Sequence, residues 1–128
     1  LDMEYRGGLM ILKKRNFLRI LTLELEDMRQ DIELEIQATE KTLCEANIAP
    51  HVFRENLALL NNKLLAVRDF EQILSTVRAE DYAALDELAD SVLNSFKSQV
   101  DFRGWVYSTG LTIERKINKV KKYILQQE

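Results

Sequence analysis

The chain has 128 residues, a length usual for one domain built around a single hydrophobic core. Its 46% hydrophobic and 30% charged residues argue against disorder, and a formal net charge of -3 gives no reason to expect a nucleic-acid partner. Between Leu9 and Arg103 there is no glycine, and the only proline is Pro50. Because these residues are the strongest helix breakers, the composition predicts long uninterrupted helices.

The first helix is predicted over residues 9–47, about 60 Å long at about 1.5 Å per residue. Residues 1–8 contain Gly7 and Gly8 and are expected to be a flexible lead or a cloning remnant, so that 9–128 forms one helical domain. Apolar residues recur along this helix in steps of three and four, the spacing of one helix face. The stripe comprises Leu18, Leu21, Leu25, Met28, Ile32, Ile36, Leu43 and Ala46, with Thr39 filling its gap.

Pro50 ends the first helix and opens the second, which is predicted over 51–78, because proline disfavours helix in the preceding residue and suits a first turn. The connection is short, so the two helices should form an antiparallel hairpin. The stripe of the second helix is Phe53, Leu57, Leu60, Leu64, Val67, Phe70, Leu74 and Val77.

A third helix is predicted over 81–98 with Asp81 as its N-cap, and a fourth over 102–126 with Ser98 or Asp101 as the capping residue. Gly104 and Gly110 would then lie inside the fourth helix, where they allow close helix contact or mark a kink. One continuous helix over 81–126 is the alternative. The inward residues are Tyr82, Leu85, Leu88, Ala89, Val92 and Phe96 in the third helix, and Val106, Thr109, Ile113, Ile117, Val120 and Ile124 in the fourth.

The predicted fold is therefore all-α, an antiparallel up-down four-helix bundle with an overlong first helix. The second half of the first helix is acidic and the fourth helix is basic. Opposite charges on adjacent helices would help to select neighbours and register, although each exposed pair contributes under about 1 kcal/mol.

No catalytic or metal site is predicted. A di-metal bundle needs inward carboxylates and Glu-x-x-His pairs, whereas this chain has one histidine, His51, and no such pair. His51 is interpreted as a surface residue in a turn, and Cys44 as a small hydrophobe packed beside Leu43. The glycines match no phosphate-binding loop, so no cofactor is expected and the chain is predicted not to be an enzyme.

The predicted function is protein–protein interaction, by a homodimer through the N-terminal half of the first helix or by binding another helical protein. Apolar residues there cover most of the helix circumference, and the helix is expected to extend past its neighbours around residues 9–18. Two-fold dimers are the commonest oligomers. The predicted interface residues are Leu9, Ile11, Leu12, Phe17, Ile20 and Leu21.

Two other features leave alternatives open. Phe102, Trp105 and Tyr107 cluster around Gly104 in the sequence. They are interpreted either as core residues at one end of the bundle or as the lining of a small apolar pocket, which would make the chain a ligand-binding or sensory module. The basic run from Lys13 to Arg19 could meet acidic lipid, nucleic acid or an acidic partner helix, or it could be a solvated helix start. Neither a nucleic-acid partner nor a membrane-surface role is favoured. A single cysteine fits a reducing compartment, most simply the cytoplasm.

Overall fold

A computed structural model describes residues 2–45, 49–105 and 107–126, with side chains from residue 8 onward. Helices make up almost all of these ranges, and no strand occurs in them, which confirms the predicted all-α bundle. The elements are α1 (Asp2–Cys44), α2 (Pro50–Ser75), a 3₁₀ turn (Ala79–Asp81), α3 (Leu85–Arg103) and α4 (Tyr107–Leu125). With 43 residues, against 26 in α2 and 19 in each of α3 and α4, α1 is overlong as expected.

The beginning of α1 differs from the prediction. Residues 2–8 are helical and belong to α1, whereas the sequence predicted that the first helix begins at residue 9. A Cβ added at Gly8 would meet nothing within 4 Å, and the flanking helix therefore continues through this glycine without a packing requirement for it. At the other end, Ala46 of the predicted stripe lies outside the described residues, and Pro50 occupies the first turn of α2 as predicted.

Gly104 separates α3 from α4. It ends α3 in the left-handed conformation at φ 67°, and the Trp105 N–H donates to the Val100 carbonyl at 3.0 Å. This is the usual geometry of a C-terminal glycine, and it rules out the continuous helix over 81–126. Ser98 and Asp101 lie within α3 and cap nothing, which corrects both capping assignments.

The start of α3 is also later than predicted. Asp81 belongs to the 3₁₀ turn, and the N-cap position of α3 is Ala84, which has no side-chain oxygen to accept a hydrogen bond. Instead, Glu87 Oε2 accepts a hydrogen bond from the Ala83 N–H at 3.2 Å. A carboxylate in the first helical turn thus satisfies a backbone donor that precedes the helix.

The core lies on the predicted stripes where the four helices pack together. Phe53, Leu57 and Leu60 of the second stripe are only half-buried, and Val106 of the fourth lies outside the described residues. The rings of Phe70 and Phe96 stack at its centre with centroids 4.6 Å apart. Thr109 is buried as predicted, and its hydroxyl has no hydrogen-bond partner among the described residues. The buried cluster is Phe17, Leu21, Leu25, Ile32, Leu64, Ala66, Val67, Phe70, Leu74, Leu85, Leu88, Ala89, Val92, Phe96, Val100, Ile113, Ile117, Val120 and Ile124.

The extra length of α1 lies mainly at its C-terminal end, whereas the sequence predicted it around residues 9–18. Lys14 is buried there and donates to the Tyr82 carbonyl, and Arg15 pairs with Glu80 at 2.9 Å, so the 3₁₀ turn and its surroundings cover this part of α1. Residues 33–45 and 50–63, here called the arm, form a two-helix hairpin in which no residue is buried. An ion pair between Arg29 and Glu71, 3.0 Å apart, lies at the base of the arm.

Candidate interaction surface

The residues predicted to form a dimer interface fall into two groups. Phe17 and Leu21 are 0% exposed and belong to the core of a single chain, which corrects their assignment to an interface. Leu9 and Leu12 are exposed, while Ile11 and Ile20 are half-buried. Most of the apolar arc of α1 is therefore buried within the bundle of one chain. The 3₁₀ turn, α3 and α4 cover more of this arc than the predicted helix lengths indicated.

A second set of leucines faces away from the core. Leu12, Leu23 and Leu34 have exposed fractions of 53%, 52% and 62%. They follow one another at intervals of 11 residues, which is three helical turns plus about 20°, so they lie almost in line along α1. The outward face of α1 is this line with the polar residues between its leucines: Leu12, Asn16, Arg19, Leu23, Asp27, Gln30 and Leu34.

The outward face also carries charged groups. Arg19 and Asp27 form no ion pair or hydrogen bond among the described residues, and the same holds for Glu26 beside them. Other charged residues of α1 form contacts within the chain. Glu24, for example, accepts hydrogen bonds from Lys116 and Lys119, each at 3.1 Å. The outward face thus combines exposed apolar area with charges that have no counterpart among the described residues.

The Glu24 site fixes α4 against α1. Burial raises the pKa of Glu24, but the hydrogen bonds and positive charges of Lys116 and Lys119 outweigh it, and the net pKa lies below the ordinary value. An open groove runs between the two helices beside this site, lined by Ile20 and Tyr123 among others. These contacts place α4 on one flank of α1, while Arg29 and Glu71 hold α2 on another, which leaves the outward face open.

The aromatic residues around Gly104 do not form the predicted ligand pocket. Phe102 and Tyr107 are 83% and 75% exposed, and the groove beside Tyr107, which Val100 and Leu111 also line, includes neither Phe102 nor Trp105. Trp105 is half-buried against the core, and its Nε1–H donates to Asp69 Oδ2 at 3.2 Å. Asp69 is a structural residue that the sequence did not reveal, since nothing in its spacing distinguishes it from other acids of α2.

No group of three His, Cys, Asp or Glu residues in the described ranges is arranged to hold a metal ion. His51 is exposed at the start of α2 as predicted, whereas Cys44 is exposed at the end of α1 and not packed, contrary to expectation. None of the described helices is both long enough and apolar enough to cross a membrane. Comparison with protein-family models, curated proteins and solved structures gives no match.

Proposed function

We propose that the chain is a non-enzymatic protein–protein interaction protein that self-associates through the outward face of α1. The exposure of Leu12, Leu23 and Leu34 in one line carries this proposal. Large apolar side chains that recur along one exposed helix face are typical of an interface, whereas single exposed leucines scattered over a surface need no explanation.

The proposed surface keeps the helix that the sequence indicated and changes the residues on it. Leu12 remains, and Leu23 and Leu34 replace Phe17 and Leu21, which are already buried within one chain. The interface therefore extends beyond the N-terminal half of α1, to the base of the arm. A second helix laid along this line would bury the three leucines and offer partners to Arg19 and Asp27.

We further propose that the protein works in a reducing compartment, most simply the cytoplasm. Cys44 is exposed, and it is the only cysteine in the sequence, so an internal disulfide is excluded. An exposed thiol persists most readily where cellular reductants keep it reduced.

Sedimentation velocity over a range from about 1 µM to about 1 mM tests self-association, since a weak dimer populates only near its dissociation constant. We expect the average mass to rise with concentration from 14.9 kDa, the mass of one chain, towards twice that value. A mass that stays at 14.9 kDa throughout contradicts the proposal.

A matched pair of variants locates the surface. Leu23→Asp should abolish association and leave the melting temperature almost unchanged, because Leu23 is half exposed in the single chain. The control is Leu65→Asp, which changes a leucine of similar exposure on α2 and should affect neither quantity. Equal association in the wild type and Leu23→Asp would place the interface elsewhere.

A further inference from the structure

The outward face of α1 has a palindromic order about Leu23. Four residues before it lies Arg19, and four residues after it lies Asp27, so a cation mirrors an anion. Asn16 lies seven residues before Leu23 and Gln30 seven residues after it, so an amide mirrors an amide. Leu12 and Leu34 lie eleven residues before and after Leu23, so a leucine mirrors a leucine. When a second copy runs in the opposite direction, leucine meets leucine, amide meets amide and cation meets anion across such a face.

We infer that two copies of this chain pair α1 against α1 in antiparallel orientation, about a two-fold axis that passes beside Leu23. This inference rests on the proposed self-association and adds its geometry. Leu23 then packs against Leu23 of the second copy, and Leu12 against its Leu34. Because a two-fold axis repeats every contact, each such pair occurs twice except at the axis itself.

Charge selects the antiparallel orientation. In it, Arg19 of each copy lies opposite Asp27 of the other, with Glu26 adjacent, and each cation gains an acidic neighbour. A parallel pairing in register would instead bring Arg19 to Arg19 and Asp27 to Asp27. Like charges across an interface are unfavourable, and neither residue has a partner within its own chain among the described residues.

The dimensions of the face predict a weak dimer. Leu12 and Leu34 are separated by about 33 Å along the helix axis, and a helix is about 10 Å wide, so each copy offers a strip of about 330 Å². A standard stable interface buries about 800 Å² per partner. The 11-residue spacing drifts by about 20° every three turns, so two such helices can stay in contact along the strip by winding gently around each other in a right-handed sense. We expect a dissociation constant of about 10 µM or weaker.

Charge-reversal variants test the orientation. Arg19→Glu alone, and Glu26→Lys with Asp27→Lys, should each weaken the dimer about tenfold or more, because each places like charges together. Combining all three substitutions in one chain should restore association to within about threefold of the wild type. Arg54→Glu, which makes the same charge change at an exposed residue of the arm, is the matched control and should have no effect.

Disulfide trapping provides an independent readout. One chain carries Leu12→Cys and the other Leu34→Cys, both with Cys44→Ser to remove the natural thiol. Mild oxidation of the mixture should give a mixed disulfide dimer, while Leu12→Cys alone should give little, since cross-linked residues must lie within about 7 Å between Cα atoms. Efficient cross-linking of Leu12→Cys to itself would demonstrate a parallel dimer and overturn the inference.

The failures are distinguishable. A wild-type chain that remains monomeric overturns both the proposed function and the geometry. A wild-type dimer that is disrupted by Leu23→Asp but is insensitive to Arg19→Glu keeps the proposed surface and overturns the antiparallel arrangement.

Discussion

The indole nitrogen of Trp105 donates a hydrogen bond to Asp69 Oδ2 at 3.2 Å and thereby ties the turn between α3 and α4 to the C-terminal third of α2. The same oxygen accepts from Gln99 Nε2 at 3.2 Å, and Arg103 Nε lies 3.7 Å away. A single carboxylate thus anchors the end of α3 and the start of the connection to α4. Removing it leaves an indole donor half-buried without its partner.

Asp69→Ala is therefore expected to destabilise the fold by about 1–3 kcal/mol, the range for a partly buried charged acceptor whose donors lose their partner. Urea unfolding followed by circular dichroism measures this difference. The control is Asp90→Ala, at an exposed position of α3 that makes no ion pair among the described residues, and it should change stability by less than about 0.5 kcal/mol. Equal effects of the two substitutions would show that Asp69 anchors nothing.

Substitution by alanine should change the stability of the fold in opposite directions at the two glycines near this turn. Gly104 has φ 67°, and an alanine there is strained, at a cost of about 1–2 kcal/mol. Gly110 lies inside α4, where an added Cβ would contact Val100 Cγ2 at 3.6 Å, an ordinary packing distance. Gly110→Ala should therefore raise stability by up to about 1 kcal/mol through helix propensity. Thermal unfolding of both variants checks the pair, and a stabilising Gly104→Ala would contradict the assigned turn.

These glycines show why the helix boundaries were harder to predict than the core. The described residues of the inward stripe predicted for the fourth helix, from Thr109 to Ile124, are all buried, because apolar spacing alone specifies one face of a helix. Whether Gly104 interrupts a helix depends on a left-handed conformation that alanine disfavours, and the one-letter sequence does not record it. Phe17 and Leu21 illustrate a second difficulty: α1 is apolar over a wide arc, and only the positions of α3 and α4 decide which part is buried.

Glu24 should contribute to acid sensitivity. Its folded pKa is depressed below the ordinary 4.5, so its stabilising contribution is present above the unfolded pKa and is lost as pH falls through the folded pKa. Unfolding free energies of the wild type and Glu24→Gln should therefore differ at pH 7 and converge in strong acid. Urea titrations at several pH values measure the difference. A gap that stays constant down to strong acid would mean that Lys116 and Lys119 do not act on the ionised carboxylate.

The arm should open without unfolding the bundle. No residue of 33–45 or 50–63 is buried, whereas the neighbouring stretches of α1 and α2 contain Ile32 and Leu64 in the core. Local opening is governed by the buried contacts that it breaks, so amide hydrogens in the arm should exchange at least about tenfold faster than those near Leu25 and Phe70. Hydrogen exchange followed by mass spectrometry resolves these segments.

Raising the concentration into the dimer range should slow exchange around Leu23 more than at the tip of the arm, because the proposed interface ends near Leu34. Uniform exchange along α1 at every concentration would contradict both the independent arm and the location of the interface.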